Sequence, residues 1–436
     1  MRFLHAGAIY AAANIASAAV PFMLLPLLTR VLTPADYGYI VAFALLVTLC
    51  MPFAGLSVHS AVGVAWFNKS RDEIPAFNGT ALGLIVVTTA IVAPIVAVVV
   101  ELMPSLVAGL PPVWGAVAAL TAGANVTLQC RLVLWQSQGQ PLKNAILQVS
   151  ASVLNVGLSL LAVLAFGWES AGRNAGIAVS LIAMATVAVV MFMLSRDATW
   201  SFRPKYLAEQ VRFGMPLVPH VLAGVFLGTI DRWMVSTQLG AEALGIYGAA
   251  AQLGMVMTIL ADGFVKAYNP WLYAQLGSDN ANGKYNVVGA VYLAVPAFVC
   301  VGAVVGLILH WTSGIFLGPR YADANTVLPW FVLGGTLSGV YFCLSSIFFF
   351  TGRTGLLASC TSSAAAVGAM IVWLLVTLLG VQGAAIGFAV TQGLLALFVA
   401  VTAINSFDLP WSEIRKAVGT LLQSAHGSTR LKLLNP

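Results

Sequence analysis

The sequence predicts an all-α integral membrane protein with twelve transmembrane helices, arranged as two six-helix bundles related by a pseudo-two-fold axis along the membrane normal. Three observations predict it. Eleven stretches of 18 or more residues lack Asp, Glu, Lys and Arg, and only 8% of the 436 residues are charged while 60% are apolar, against about 25% charged in soluble domains. The longest uncharged stretch holds a turn signal near its middle, which raises the count to twelve. A weak repeat links the two halves of the chain.

About 20 apolar residues rising about 1.5 Å each cross a hydrocarbon core of about 30 Å. The uncharged stretches are 3–29, 37–68, 74–100, 102–130, 144–168, 174–195, 213–230, 243–261, 285–319, 324–352 and 354–407. A transmembrane barrel would instead alternate apolar and polar positions over segments of about 10 residues. The first stretch follows Arg2 and could pass for a secretory signal ending at Ala16-Ser17-Ala18. Its apolar character continues to Leu28, and His5 and Asn14 interrupt it, so it is expected to be a permanent helix. The last stretch is far too long for one crossing, and Leu379-Gly380-Val381-Gln382-Gly383 is its expected turn.

Lys and Arg favour cytoplasmic loops. With both termini inside, only Arg30, Arg173 and Arg320 fall on the outer side and Arg232 lies within a helix; every other Lys and Arg falls inside. The expected location is a membrane crossed many times, with both termini cytoplasmic. The expected divisions are a bundle over 1–198, a cytoplasmic linker over 199–212, a second bundle over 213–407 and a tail over 408–436. In the tail, Trp411, Ile414, Val418, Leu421 and Leu422 share most of one helical face, as in an interfacial helix.

The repeat pairs Leu32-Thr33-Pro34-Ala35-Asp36-Tyr37-Gly38-Tyr39-Ile40 with Leu239-Gly240-Ala241-Glu242-Ala243-Leu244-Gly245-Ile246-Tyr247. Only Leu and Gly are identical in register, but each segment is a short outer turn joining the first two helices of its half. Six helices separate the copies, so both run the same way across the bilayer. Transporters that rock two halves about a central cavity use this arrangement.

No phosphate-binding glycine loop, HExxH helix or nucleophile elbow is present, so no enzyme is expected. The cysteines Cys50, Cys130, Cys300, Cys343 and Cys360 all fall in helices without a CxxC pair, and no cofactor or metal is expected. The net charge of +6 comes from basic residues spread over the inner loops, which fits anionic lipid headgroups rather than nucleic acid.

Ionisable groups inside a membrane are costly and usually face a wet cavity or a partner. Arg30, Arg131, Arg232 and Lys266 are the candidate substrate-binding cations, with snorkelling to headgroups as the plainer role for each. Asp231 and Asp262 are candidate ion-coupling groups, for a proton or a sodium ion. Asp231 points about 100° away from its neighbour Arg232 and does not simply neutralise it. Asn14, Asn125 and Asn155, near mid-depth, are candidates for binding a hydroxyl-rich solute, or for hydrogen bonds between helices. Pro21, Pro26, Pro216 and Pro219 are candidate hinges in the first helix of each half.

Two segments resemble a known family. The run Leu24-Leu25-Pro26-Leu27-Leu28-Thr29-Arg30-Val31-Leu32-Thr33-Pro34-Ala35-Asp36-Tyr37-Gly38 is similar to the first outer turn of bacterial polysaccharide transporters. The run Arg212-Phe213-Gly214-Met215-Pro216-Leu217-Val218-Pro219, continuing through Asp231-Arg232 to Gly245-Ile246-Tyr247, is similar to the start of their second half. That family lies in the multidrug, oligosaccharidyl-lipid and polysaccharide exporter superfamily. The resemblance implies a flippase for an undecaprenyl-pyrophosphate-linked oligosaccharide, an O-antigen or exopolysaccharide repeat unit, working by alternating access. It implies that Arg30 and Arg232, with Arg131 and Lys266, contact the pyrophosphate, since arginine binds phosphate oxygens bidentately. Expected partners are the lipid-linked oligosaccharide, membrane lipids, and the polysaccharide polymerase and chain-length machinery, with the protein itself a monomer.

Two related readings stay open. A multidrug or cation antiporter of the same superfamily would favour deep acidic groups in the amino-terminal half, where Asp36 and Glu101 lie near membrane ends. A peptidoglycan-precursor flippase usually has two further helices that this chain does not reach. An uncoupled lipid scramblase is the alternative from another class.

Overall fold

The structure is a computed structural model that describes residues 2–277 and 281–434. Among these residues the regular structure is helical. The elements are α1 (Arg2–Val31), α2 (Pro34–Gly55), α3 (Val58–Asn68), α4 (Ile74–Leu102), α5 (Pro112–Ser137), α6 (Pro141–Leu160), α7 (Glu169–Leu194), α8 (Pro204–Gly214), α9 (Leu217–Leu276), α10 (Ala281–Phe316), α11 (Ala324–Phe350), α12 (Thr354–Ser406) and α13 (Ile414–Leu434). Nine of them are long and apolar enough to cross a membrane among the described residues.

Proline opens many of these helices. Pro34, Pro112, Pro141 and Pro204 are first residues, where the missing N–H costs no helical bond. At α2, Thr33 and Asp36 also form a reciprocal capping box, which satisfies two orphan N–H groups. Pro219 lies in the first turn of α9 and Pro216 in the turn just before it, so neither removes a helical bond there. Pro26 lies inside α1.

Two long helices contain a break. Gly240 in α9 has φ 82° and Gly380 in α12 has φ 60°, values that favour glycine. The Gly380 break falls in the expected turn. Another break differs from expectation: the stretch 37–68 is interrupted by Leu56 and Ser57, both left-handed. Here Gly214 lies so close to the Leu56 carbonyl that a Cβ would overlap it.

The chain divides into two compact units, one comprising residues up to Ala249 with Phe316–Tyr321, the other Ala250–Ile315 with Ala322 onward. In the first unit α5 packs against α2, α3, α4, α6 and α7, and α1 packs on α6. Small buried residues permit this central position: Gly115 lies against Val96 and Val100, and Gly123 against Thr89. In the second unit α11 packs along α12.

The two outer-turn segments of the repeat touch each other within the first unit. A Cβ on Gly38 would overlap the Ala241 carbonyl, and one on Gly245 would overlap the Pro34 carbonyl. In the register of the repeat Gly38 corresponds to Gly245 and Pro34 to Ala241, so the contact is reciprocal, as across a two-fold axis. Thr29 and Ser236 correspond in the same register. The Thr29 hydroxyl donates to the Phe316 carbonyl at 3.1 Å and that of Ser236 to the Leu106 carbonyl at 3.2 Å.

The register extends to the amphipathic helices α8 and α13. In the first unit the Tyr206 hydroxyl donates to Glu73 at 3.1 Å, and Lys69 pairs with Glu209 at 2.8 Å. In the second, Glu413 accepts from the Tyr285 hydroxyl at 2.9 Å, and Lys416 donates to that same hydroxyl at 2.8 Å. Tyr206 and Glu413 hold one register position, and Glu209 and Lys416 another. The tyrosine and the acid have exchanged sides between the copies.

Candidate functional site: a polar cavity walled by three helices

Three helices of the first unit each carry a polar stripe at helical spacing. On α1 it is Tyr10, Asn14 and Ser17; on α5, Asn125, Gln129 and Gln136; on α6, Asn144, Gln148 and Ser152. Steps of three, four, seven or eight residues keep these groups on one face. The stripes converge on a cavity of about 350 Å³, completed by aliphatic side chains that include Leu128, Leu132 and Leu181. Among the described residues no charged side chain lines it.

The cavity has hydrogen-bonding capacity of both signs. Gln148 donates through Nε2 to Asn14 Oδ1 at 2.9 Å, joining α6 to α1. Asn144 donates to the Leu132 carbonyl at 2.8 Å and fixes α6 against α5. The Tyr10 and Ser17 hydroxyls are buried without a partner among the described residues, and Asn125 has only a 3.9 Å contact to the Met51 sulfur. Amides and hydroxyls that both donate and accept, beside aliphatic surface, match the faces of a sugar ring.

The candidates from sequence separate into several places. Asn14 and Asn125 come together in this cavity. Asn155 does not: it accepts from Arg173, whose guanidinium also donates to Ser159, both at 2.5 Å. Arg131 lies on the other side of α5 and α6, buried in an ion pair with Asp197 at 2.6 Å, with Ser195 at 3.1 Å and the Trp135 ring 4.3 Å away. Arg30 donates to the Pro26 carbonyl at 2.6 Å and Arg232 to the Gly228 carbonyl at 3.0 Å, each within its own helix. In the second unit Lys266 pairs with Asp262 one turn away at 2.6 Å, both exposed.

Asp231 is 2% exposed and accepts a hydrogen bond from the Tyr247 hydroxyl at 2.6 Å. In the repeat register these positions correspond to Leu24 and Ile40. The buried carboxylate is therefore peculiar to one copy. Among the described residues no group of three His, Cys, Asp or Glu side chains is placed to hold a metal ion.

Gln129, Gln136, Gln148, Tyr10, Ser17 and Ser152 were not singled out from sequence, because single neutral polar residues stand out less than charges in apolar helices. Their signal was the recurrence of amides and hydroxyls at helical spacing on three separate segments.

The site is thus a polar cavity among helices long and apolar enough to cross a membrane, and solved structures share the fold. A multidrug resistance MATE family transporter of the MOP superfamily, in an inward-facing conformation, superposes with a TM-score of 0.73 at 14% identity, covering 92% of this chain and 96% of that one. The lipid II flippase MurJ, in an inward closed conformation, gives 0.74 at 13% identity, covering 98% and 93%. The chain belongs to the polysaccharide biosynthesis protein family, whose sequence profile matches residues 3–274. It is 23% identical over 371 residues to a protein of the Lsg locus of Haemophilus influenzae, covering 83% of this chain and 88% of the relative. The chain thus joins membership of that family to the fold shared by these two transporters.

Proposed function

We propose that this transporter is a flippase that moves an undecaprenyl-pyrophosphate-linked oligosaccharide, an O-antigen or exopolysaccharide repeat unit, from the cytoplasmic to the periplasmic leaflet of the bacterial inner membrane. The observation that carries the reading is the uncharged, amide-lined and hydroxyl-lined cavity between α1, α5 and α6. A glycan offers many neutral hydroxyls and few charges, which these side chains can match. Family membership supports a role in polysaccharide assembly, where the polymerase and chain-length machinery would follow.

In this reading α9 and α12 each cross twice, breaking at Gly240 and Gly380, and α2 with α3 crosses once. Together with α1, α4, α5, α6, α7, α10 and α11 this gives twelve crossings with both termini cytoplasmic. The reciprocal contacts of Gly38 and Gly245 support two like-oriented six-helix halves, over 1–198 and 213–407, turning about an axis along the membrane normal. The protein works as a monomer by alternating access, with Pro21, Pro26, Pro216 and Pro219 at the bends. Arg30 and Arg232 meet the pyrophosphate outside the sugar cavity. Asp231 is the coupling group, for a proton or a sodium ion.

A multidrug antiporter would carry cations, and a carboxylate in the cavity would suit that cargo. The cavity here is lined by amides, hydroxyls and aliphatic groups, which favours the glycan.

The test is deletion followed by complementation. Loss of the gene should remove the surface polysaccharide and leave lipid-linked repeat units on the cytoplasmic face. Gln129→Leu with Gln148→Leu, and Arg232→Ala with Arg30→Ala, should fail to restore export while inserting normally. Intact polysaccharide together with altered drug resistance would overturn the reading.

A further inference from the structure

The opposite face of α6 borders a second hollow. It is a groove of about 580 Å³, walled by Trp135 of α5, Ile146 and Leu147 of α6, and Met184, Val187 and Met191 of α7, with Arg131, Lys143 and Ser195 also on its lining. Among the described residues no acidic side chain lines it. Ile146 is 58% exposed and Leu194 80%, so the groove opens on the surface that meets lipid. Arg131 is already neutralised by Asp197. Lys143 is exposed, and no carboxylate lies within ion-pair distance of it among the described residues.

Helix α6 therefore separates two chemistries. Asn144, Gln148 and Ser152 face the polar cavity, while Lys143, Ile146, Leu147 and Ser150 face the apolar groove. The division follows from the step of about 100° per residue, which sends adjacent positions to different faces. Lys143 of the groove and Asn144 of the cavity are neighbours in the first turn of α6. A polyprenyl-linked glycan likewise joins a hydroxyl-rich sugar to an apolar chain through a pyrophosphate anion. The beginning of α6 offers a polar cavity, an apolar groove and a cation on the groove's lining.

We propose that α6 is a partition straddled by one substrate as it loads from the cytoplasmic side, before its pyrophosphate passes to Arg30 and Arg232, with the glycan in the polar cavity, the pyrophosphate at Lys143 and the polyprenyl chain in the groove between α5, α6 and α7. The inference rests on the flippase reading and adds where the lipid part is held. A phospholipid of the bilayer could also lie along an apolar groove. The exposed cation on the groove's lining, next in the chain to a residue of the sugar cavity, selects the polyprenyl pyrophosphate instead.

The experiment uses the full-length protein in vesicles of phosphatidylethanolamine and phosphatidylglycerol. The probe is undecaprenyl pyrophosphate without sugar, carrying a photoreactive group on its chain. Labelling should concentrate on Ile146, Met184 and Val187, fall at least fivefold in Lys143→Glu, and persist in Gln148→Leu. Labelling spread evenly over the lipid-facing helices, or suppressed equally by a photoreactive phosphatidylglycerol, would overturn the proposal. In a flipping assay with lipid-linked oligosaccharide, Ile146→Trp and Val187→Trp, both at exposed positions, should slow transport at least fivefold. Wild-type rates in both, with wild-type protein active, would sink the groove assignment and leave the flippase reading standing. Inactivity of the wild-type protein toward every lipid-linked oligosaccharide would remove the flippase reading, and the partition with it.

Discussion

Gly38 presses its bare Cα face against the carbonyl of Ala241, and the equivalent Gly245 does the same to Pro34. Backbone atoms cannot withdraw as a flexible side chain can. Gly38→Val or Gly245→Val is expected to force the two turns apart and destabilise the protein by about 3 kcal/mol or more, at or beyond the upper end of ordinary overpacking. Thermal unfolding in detergent would read this, with Gly109→Val, which has open space, as a control for bulk. The control keeps its own strain, since Gly109 has φ 79°, so only the excess at Gly38 and Gly245 counts.

Arg131 and Asp197 form an ion pair in which the arginine side chain is only 3% exposed. Breaking one partner strands a buried charge. Asp197→Asn should cost about 3–5 kcal/mol, whereas Arg131→Met with Asp197→Leu should recover most of that loss. A double-mutant cycle on unfolding free energy checks it, and equal loss in the single and double variants would refute the pairing as the cause.

The Asp231 carboxylate is expected to carry the pH dependence of transport. Asp231→Asn retains an acceptor for the Tyr247 hydroxyl but cannot titrate. It should flatten the rate–pH profile and lower turnover at least tenfold, while Tyr247→Phe should shift the profile without abolishing it. An unchanged profile in Asp231→Asn would exclude it as the coupling group.

Hydrogen bonds from Tyr206 and Ser70 to Glu73 hold its carboxyl below the usual value near 4.5. A carboxylate depressed in the folded state stabilises above its unfolded value, and that contribution is lost as pH falls through the folded one. The attachment of α8 should therefore loosen only below about pH 4.5, seen as faster amide exchange in 204–214. Glu73→Gln should make that exchange independent of pH over the same window.

The spans were legible because charge is so costly in lipid that its absence outlines each helix, and Gly380 announced its own turn. The break at Leu56 and Ser57 was hidden, since neither residue type favours a left-handed conformation. The Leu56 carbonyl there lies against Gly214, more than 150 residues away in sequence. For the site, Asn14 and Asn125 were identifiable as polar groups at depth, but their meeting depends on α1 packing on α6. Asn155 looked equivalent and instead serves Arg173 of α7. Arg131 looked like a bare cation because Asp197 is reached only through the fold.

The exchanged tyrosine and acid on α8 and α13 also constrain how the halves can be recombined. Were α13 laid on the base of α4, Glu413 would come opposite Glu73 and Lys416 opposite Lys69, two like-charge encounters in place of two attractions. Each amphipathic helix thus carries an address that only its own half can read. A duplicated chain that lost this distinction could dock either helix at either place during insertion; this one has diverged so that the wrong assembly repels itself.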